Sequence, residues 1–336
     1  MGTSISRREF LTFDGRERES APGEGHWIRV HRRIMACRFE VLLPGEHPEW
    51  VPAARTALNL ADRLEARLSV FRPESELSQI NRLAAAGPVR VHPALFVLLQ
   101  RASALSAATD GAFDITSAPL SRCWGFLRRA GRVPPAEDVD RARQVVGMRH
   151  VELDAAAETV RFARPGVELN LGSIGKGYAL DQMAAKLERL GVVQALLSAG
   201  RSSLRAIGSD RGGWPVALRP LLSGGTLARV VLRGAALATS GAGEQYVLDD
   251  GRRYGHVLDP RTGWPAQGLR SATVATRSAA DADALSTAFL VGGLALAARY
   301  HQAHADTLAI LSQDDADDAI VVGAWDGAMI ETSSCR

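Results

Sequence analysis

Three short stretches carry the side chains that could do chemistry. In Asn170-Leu-Gly-Ser-Ile-Gly-Lys-Gly-Tyr178 an apolar run passes into a glycine loop and then into a helix with Lys176 at its start. Bare amides at a helix start beside a lysine form an anion site; the same residues also make a tight strand-to-helix turn. The stretch is no Walker A loop, because Asn170 stands six before Lys176 where glycine belongs, and Gly177 follows where Ser or Thr would hold magnesium. In Ser278-Ala-Ala-Asp-Ala-Asp-Ala-Leu-Ser-Thr287, Asp283 and Thr287 stand four apart and share one helix face. A carboxylate and a hydroxyl so aligned can hold a hard cation whose other ligands come from phosphates, and they are equally at home on an ordinary helix. Ser278 and Asp281, three apart, read as an N-terminal capping box. In Tyr254-Gly-His-Val-Leu-Asp-Pro-Arg-Thr-Gly263, His256 is either a general base or a structural histidine. Asp259-Pro-Arg261 starts a turn in which Asp259 can bond its own backbone, and Arg261 can pair with a phosphate or a surface carboxylate.

These stretches need elements to position them. Periodicity and punctuation give a first strand over Ile34 to Leu43, ended by Pro44 and Gly45, and an amphipathic helix from Pro52 to Leu68. Pro93 opens a second helix that runs to about Ala108, with Gly111 as its stop. Val151 to Phe162 reads as a short strand pair, Val167 to Leu171 as the strand leading into the glycine loop, and Tyr178 to Leu190 as the helix after it. Leu227 to Leu232 and Ala235 to Thr239 read as a hairpin about Arg233-Gly234, and Ser271 to Thr276 as a strand. A buried helix from about Ala279 to Ala298 and two strands, Thr307 to Leu311 and Ile320 to Ala324, complete the pattern. Strands arrive in clusters as well as alternating with helices, which favours an α+β fold with mixed β-sheets over a doubly wound parallel sheet.

The 336 residues, 46% hydrophobic and 23% charged, suffice for a large core. Residues 1–27 are polar and aperiodic and read as a disordered tail, leaving residues 28–336 as one domain. Within the tail, Ser6-Arg7-Arg8-Glu9-Phe10-Leu11 looks like a twin-arginine export signal, but Thr12 to Glu24 is polar where an apolar region should follow. The compartment therefore stays open between the cytoplasm and export through a degenerate signal. A formal charge of +3, with acidic residues interleaved among the basic ones, argues against nucleic acid as a partner. The apolar stretch Ala284 to Ala298 is too short to span a bilayer. Cys37, Cys123 and Cys335 form no metal or disulfide spacing and are expected as free thiols.

Taken together, the motifs resemble one family, the ApbE family of FAD:protein FMN transferases. Its signatures appear as Met35-Ala36-Cys37, Ser69 to Asn81, Gly111-Ala-Phe-Asp-Ile-Thr-Ser-Ala-Pro-Leu120 with Trp124-Gly-Phe126, and Gly172-Ser-Ile-Gly-Lys-Gly-Tyr-Ala-Leu-Asp181. Thr239-Ser-Gly241, His256-Val-Leu-Asp-Pro-Arg-Thr-Gly263 and Ala282-Asp-Ala-Leu-Ser-Thr287 follow in the same order. The resemblance spans about residues 34 to 325. It implies a T-fold-related architecture with a flavin cleft between two interleaved lobes, and a magnesium-dependent enzyme that splits FAD, attaches FMN to a Thr or Ser hydroxyl of an acceptor protein and releases AMP. It further implies Met35, Phe71, Ala112, Phe113, Asp114, Asn170, Lys176 and Val257 as FAD contacts. Magnesium would be held by Ser173, Asp283 and Thr287 with Ser286 nearby; His256 would be the base and Asp259 its orienter or substitute. The acceptor would carry a pattern of the form D-G-x-S/T-G-A/T-T, which this chain lacks. Three positions depart from the family: Cys37 where threonine is common, Phe71 where tyrosine is common, and Gly200-Arg-Ser-Ser203 where many members have G-G-D or G-G-N. An FAD pyrophosphatase and a non-catalytic flavin-binding protein are the rival readings of the same residues.

Overall fold

The computed structural model describes residues 11–13, 26–128, 130–209, 212–219, 227–243, 245–314 and 319–331. The chain opens with strand β1 (Leu11–Phe13) and the hairpin of β2 (Trp27–Ile34) and β3 (Cys37–Pro44). Helices α1 (Val51–Leu68) and α2 (Glu76–Leu83) follow, then β4 (Val89–Arg90) and α3 (Pro93–Ala108). Two short helices, α4 (Ala118–Cys123) and α5 (Ala136–Arg143), lead to the hairpin of β5 (Val151–Asp154) and β6 (Thr159–Phe162). Next come α6 (Gly175–Arg189), β7 (Ala195–Ala199), β8 (Ser203–Ile207), β9 (Trp214–Leu218), β10 (Ala228–Leu232) and β11 (Ala236–Gly241). A ribbon of β12 (Tyr246–Asp249) and β13 (Arg252–Gly255) precedes β14 (Leu269–Thr276) and α7 (Ala279–Ala303), which is kinked at Gly293. Strands β15 (Leu308–Gln313), β16 (Ala319–Val322) and β17 (Ala328–Glu331) end the described chain.

Eight strands form the central sheet in the order β16-β15-β14-β11-β8-β7-β3-β2, antiparallel at every step. Period-two alternation divides their side chains between two cores. Phe39, Val41 and Leu43 of β3 and Leu197 of β7 face helices α1, α6 and α7. Leu42, Leu196, Leu204 and Leu237 face the other way, onto Trp214, Val216, Val230 and Leu232 of the second sheet, β1-β9-β10-β17. The result is a layer of helices, a large sheet and a small sheet, the α+β architecture expected. Helix α1 buries Ala54, Ala57, Leu58, Ala61, Leu64 and Leu68, one stripe at helical spacing. Helix α7 is long and apolar enough to cross a membrane by length and composition, but here it packs on β11, β14 and α6.

Four expectations are corrected. The strand placed over Ile34 to Leu43 is broken by a hairpin turn at Met35 and Ala36, whose φ values are 50° and 57°. The sequence hides this turn because neither residue is one of the glycine or asparagine types that favour that conformation. The hairpin placed about Arg233-Gly234 is a crossover: β10 pairs with β9 and β17, whereas β11 pairs with β8 and β14 of the central sheet. Val167 to Leu171 is not a strand; the Asn81 side chain brackets Leu169, donating to its carbonyl at 2.9 Å and accepting its amide at 2.8 Å, while Asn170 N donates to Ile115 O. Within the expected tail, β1 pairs antiparallel with β9. The twin-arginine-like Arg7-Arg8 and Cys335 lie outside the described residues. Among the described residues Cys37 and Cys123 form no disulfide.

Candidate active site

The glycine loop is fixed before it reaches the helix. Asn81 and Ile115 hold its entry, and Asn170 Oδ1 accepts the Gly172 amide at 2.9 Å, closing a side-chain turn. Helix α6 then starts at Gly175, with Lys176 and Gly177 in its first turn. Gly177 has no room for a side chain: a Cβ there would overlap the backbone of Ala279 and Ala280. Its role is a crossing of two helix starts, α6 and α7, at backbone contact.

Asp181, one turn further along α6, caps that crossing. Its carboxylate accepts the Ala279 and Ala280 amides at 2.9 Å each and the Ser278 hydroxyl at 2.8 Å, with Arg205 Nε 3.5 Å away. It thereby satisfies orphan donors at the start of α7 from a neighbouring helix. Burial nevertheless pushes the Asp181 carboxyl above its ordinary range, opposed by those amides, the Ser278 hydroxyl and Arg205. Ser278 itself accepts the Asp281 amide at 3.2 Å as N-cap, while the Asp281 carboxylate turns away to a bidentate pair with Arg101.

The crossing aims Asp283 at the glycine loop. Asp283 is 4% exposed; its Oδ2 accepts the Gly177 amide at 3.1 Å, and its Oδ1 accepts the Ser203 hydroxyl at 3.0 Å with Lys176 Nζ at 3.5 Å. Lys176 Nζ also donates to Ser202 Oγ at 2.9 Å. Beneath them the Ser286 and Thr287 hydroxyls donate to the Asp283 carbonyl at 2.9 and 3.4 Å, and Ser240 Oγ lies 2.8 and 3.1 Å from the two. Lys176 is one of two lysines among the chain's 40 basic residues. A compact ammonium here, in a chain whose default cation is arginine, suits a point charge placed against phosphate.

The opposite wall is the segment after β13. His256 N donates to Gln245 O at 3.0 Å, and its Nδ1 lies 3.2 Å from the same carbonyl. A carbonyl only accepts, so in this contact the imidazole donates through Nδ1. The wall is braced by an apolar cluster of Leu120, Trp124, Phe126, Val139, Val146 and Leu258, with Trp124 Nε1 donating to Gly263 O at 2.9 Å.

Between these parts lies a cleft of about 290 Å³. Ala112, Phe113, Asp114, Asn170, Ser173, Lys176, His256, Val257, Asp283 and Thr287 all line it, so ten of the expected residues converge. Four others lie elsewhere. Phe71 is 74% exposed, Met35 sits in the β2–β3 turn, and Ser286 is fully buried under the floor. Asp259 is the fourth: its carboxylate is held by the Arg261 amide at 2.9 Å and by the guanidinium at 2.8 Å through both oxygens. The orienter of the His256 Nδ1 is thus the Gln245 carbonyl, and Asp259 shapes the turn. Asp114 lines the cleft, but its carboxylate organises its own loop by accepting Thr116 N and Oγ1 and Met148 N at 2.6 to 3.0 Å. Two larger hollows of about 530 and 460 Å³ flank Pro260 and Arg261; they lack the convergence of carboxylate, ammonium, hydroxyls and imidazole that distinguishes the cleft.

The donor set suits magnesium. Among the described residues no three His, Cys, Asp or Glu side chains gather to hold a metal by themselves. One carboxylate oxygen with a lone pair to spare, together with hydroxyls that keep lone pairs while donating, fits a hard cation completed by substrate phosphates. Asn81, Asp181, Ser202 and Ser240 belong to the site without having been assigned a role from sequence. Three of them stand inside the motifs quoted above, where a hydrogen-bonding partner 46 to 99 positions away is invisible to spacing.

Comparisons with known proteins identify the family. The family model described as "ApbE family" matches residues 35–311. The FAD:protein FMN transferase of Klebsiella pneumoniae (strain 342) is 33% identical over 237 residues, spanning 70% of this chain and 73% of its own. The apo flavinyl transferase ApbE of Pseudomonas stutzeri superposes with a TM-score of 0.77 at 30% identity, over 90% of this chain and 96% of its own. An ApbE protein of Thermotoga maritima gives 0.78 at 27% identity, over 92% and 97%.

Proposed function

The chain belongs to the ApbE family, and from that premise we propose that its cleft carries out magnesium-assisted transfer of FMN from FAD to a hydroxyl of an acceptor protein. The enzyme is a FAD:protein FMN transferase, as its relatives are. The observation that carries the chemistry is the approach of Lys176 and Asp283 to 3.5 Å on the floor of a cleft that His256 also lines.

Lys176, in the first turn of α6, binds the pyrophosphate through its ammonium. Asp283, Thr287 and Ser173 would hold the metal, with Ser286 fixing the turn beneath. When bound, magnesium neutralises the charge of the transferring phosphoryl group. The acceptor hydroxyl oxygen forms a bond to the FMN-side phosphorus as the bridging P–O bond breaks, and AMP departs with the electron pair. The hydroxyl proton passes to His256 Nε2. Ala112, Phe113, Asp114, Asn170 and Val257 contact FAD within the cleft. At about 290 Å³ the cleft is at the small end of the ~300–1,000 Å³ typical of ligand sites. Part of the dinucleotide therefore lies over the rim, where Phe71 and Met35 meet it. The acceptor carries the pattern D-G-x-S/T-G-A/T-T.

The test is incubation with FAD, Mg²⁺ and a peptide bearing that pattern, followed by mass spectrometry. A peptide heavier by one esterified FMN, with AMP in equal amount, is the expected result. AMP with free FMN and unmodified peptide would mean that water is the acceptor and the enzyme a pyrophosphatase.

A further inference from the structure

Gly200-Arg-Ser-Ser203, the stretch that departs from the family's common pattern, has no part in the chemistry above. In the structure it forms the turn between β7 and β8. Gly200 and Arg201 have φ values of 62° and 58°, and Ser202 N donates to Ala199 O at 3.3 Å, so the three-residue loop between the paired Ala199 and Ser203 contains a β-turn with left-handed φ at both central positions. Glycine accepts that conformation freely, whereas an arginine there is disfavoured and is held by the surrounding pairing. The turn delivers two consecutive hydroxyls to the cleft floor. Ser202, 7% exposed, accepts from Lys176 Nζ at 2.9 Å; Ser203, fully buried on the helix-facing side of β8, donates to Asp283 Oδ1 at 3.0 Å.

We infer that Ser202 and Ser203 are positioning residues that keep Lys176 and Asp283 apart and separately aimed, one at phosphate and the other at the metal. Lys176 Nζ and Asp283 Oδ1 stand 3.5 Å apart, longer than a charge-assisted hydrogen bond of about 2.7–2.9 Å. Each of the two groups instead has a hydroxyl partner of its own. Removing the Ser203 hydroxyl leaves Oδ1 with the ammonium as its nearest donor, so the carboxylate closes on Lys176 and turns from the cation. Removing the Ser202 hydroxyl takes one acceptor from the ammonium, which changes how FAD phosphates are met and leaves the carboxylate anchored by Ser203 and Gly177. The two serines therefore act on different ligands.

This inference rests on the metal site proposed above, and one titration separates the two. Mn²⁺ is titrated into the protein with and without FAD, in the absence of acceptor, and free Mn²⁺ is read by electron paramagnetic resonance. Melting curves without metal establish that each variant is folded. Ser203→Ala should weaken Mn²⁺ binding roughly 10- to 100-fold, as loss of a residue orienting a metal ligand does, with the KM for FAD unchanged at saturating metal. Ser202→Ala should leave Mn²⁺ binding as in the wild type and raise the KM for FAD. If Asp283→Ala abolishes Mn²⁺ binding while Ser203→Ala binds as the wild type does, the positioning role is wrong and the metal site stands. If Asp283→Ala itself binds Mn²⁺ normally, the metal site beneath both readings is wrong.

Discussion

The floor and the rim of the cleft are built differently. On the floor, Gly177, Asp181, Ser203 and Asp283 lie at the crossing of α6, α7 and β8, where the Asp181 and Asp283 carboxylates are engaged by donors 2.8 to 3.1 Å away. Outside the cleft lining, where the proposed reading puts its rim, Phe71 is 74% exposed, Trp264 is 36% exposed, and the β12–β13 ribbon carries an exposed Leu248. The floor holds fixed dipoles and charges in a buried setting, the condition under which electrostatic stabilisation of phosphoryl transfer is strongest. The rim offers apolar surface that has still to meet a ligand. On the proposed reading, cleavage of the pyrophosphate is tied to the packing of the fold, whereas flavin placement and acceptor choice are tied to its surface.

Substitutions should separate the two regions by size of effect. His256 stands where they meet, and His256→Ala should lower the transfer rate about 10²–10⁴-fold with the loss of one limb of the pH–rate profile; full activity at every pH would remove the imidazole from the reaction. Gly177→Ala acts on the floor alone. Its Cβ meets backbone, which cannot give way as a side chain can, so unfolding in urea should show a loss of about 3 kcal/mol or more. An unchanged midpoint would mean that the helix crossing is looser than described.

Asp181→Asn is smaller and depends on pH. Loss of the cap should cost about 1 kcal/mol. Because burial raises the folded-state pKa of Asp181 above its unfolded value, the native state holds the proton more tightly than the unfolded chain. The carboxyl's contribution is therefore full at pH below about 3.9 and diminishes as pH rises through the folded pKa. The stability gap between wild type and Asp181→Asn should narrow across that window, and a gap that widens would reverse the assignment. Phe71→Ala, on the rim, should change stability by less than about 0.5 kcal/mol. It should raise the KM for FAD by up to about 10-fold, the worth of one aromatic contact, and an unchanged KM would take Phe71 off the flavin.

The rim and the floor also differed in how far they could be read from the sequence. Helix α3 was legible to the residue, because Pro93 supplies its first position and the chain stops at the glycine that follows. The pairing of Asp283 with Thr287 on one face was legible from a spacing of four. The partners of the floor were not: Asn81 in place of a strand beside Leu169, Asp181 capping α7 from α6, and Ser203 on Asp283 are contacts between distant parts of the chain. Gly177 counted in the sequence as a missing metal ligand, and the structure gives it a steric reason instead. Asp259 shows the opposite error. Its turn chemistry was read correctly, but a role beside His256 came from the resemblance alone, and the Arg261 guanidinium occupies that carboxylate.

The most direct measurement is AMP release from FAD as a function of Mg²⁺ concentration, for the wild type and for Asp283→Ala. A metal-bound pyrophosphate on the cleft floor predicts that wild-type release stops when Mg²⁺ is chelated and returns when it is restored, and that Asp283→Ala is slower by roughly 10²–10³-fold at any Mg²⁺ concentration. Release of AMP by Asp283→Ala at the wild-type rate and with the wild-type Mg²⁺ dependence would contradict it.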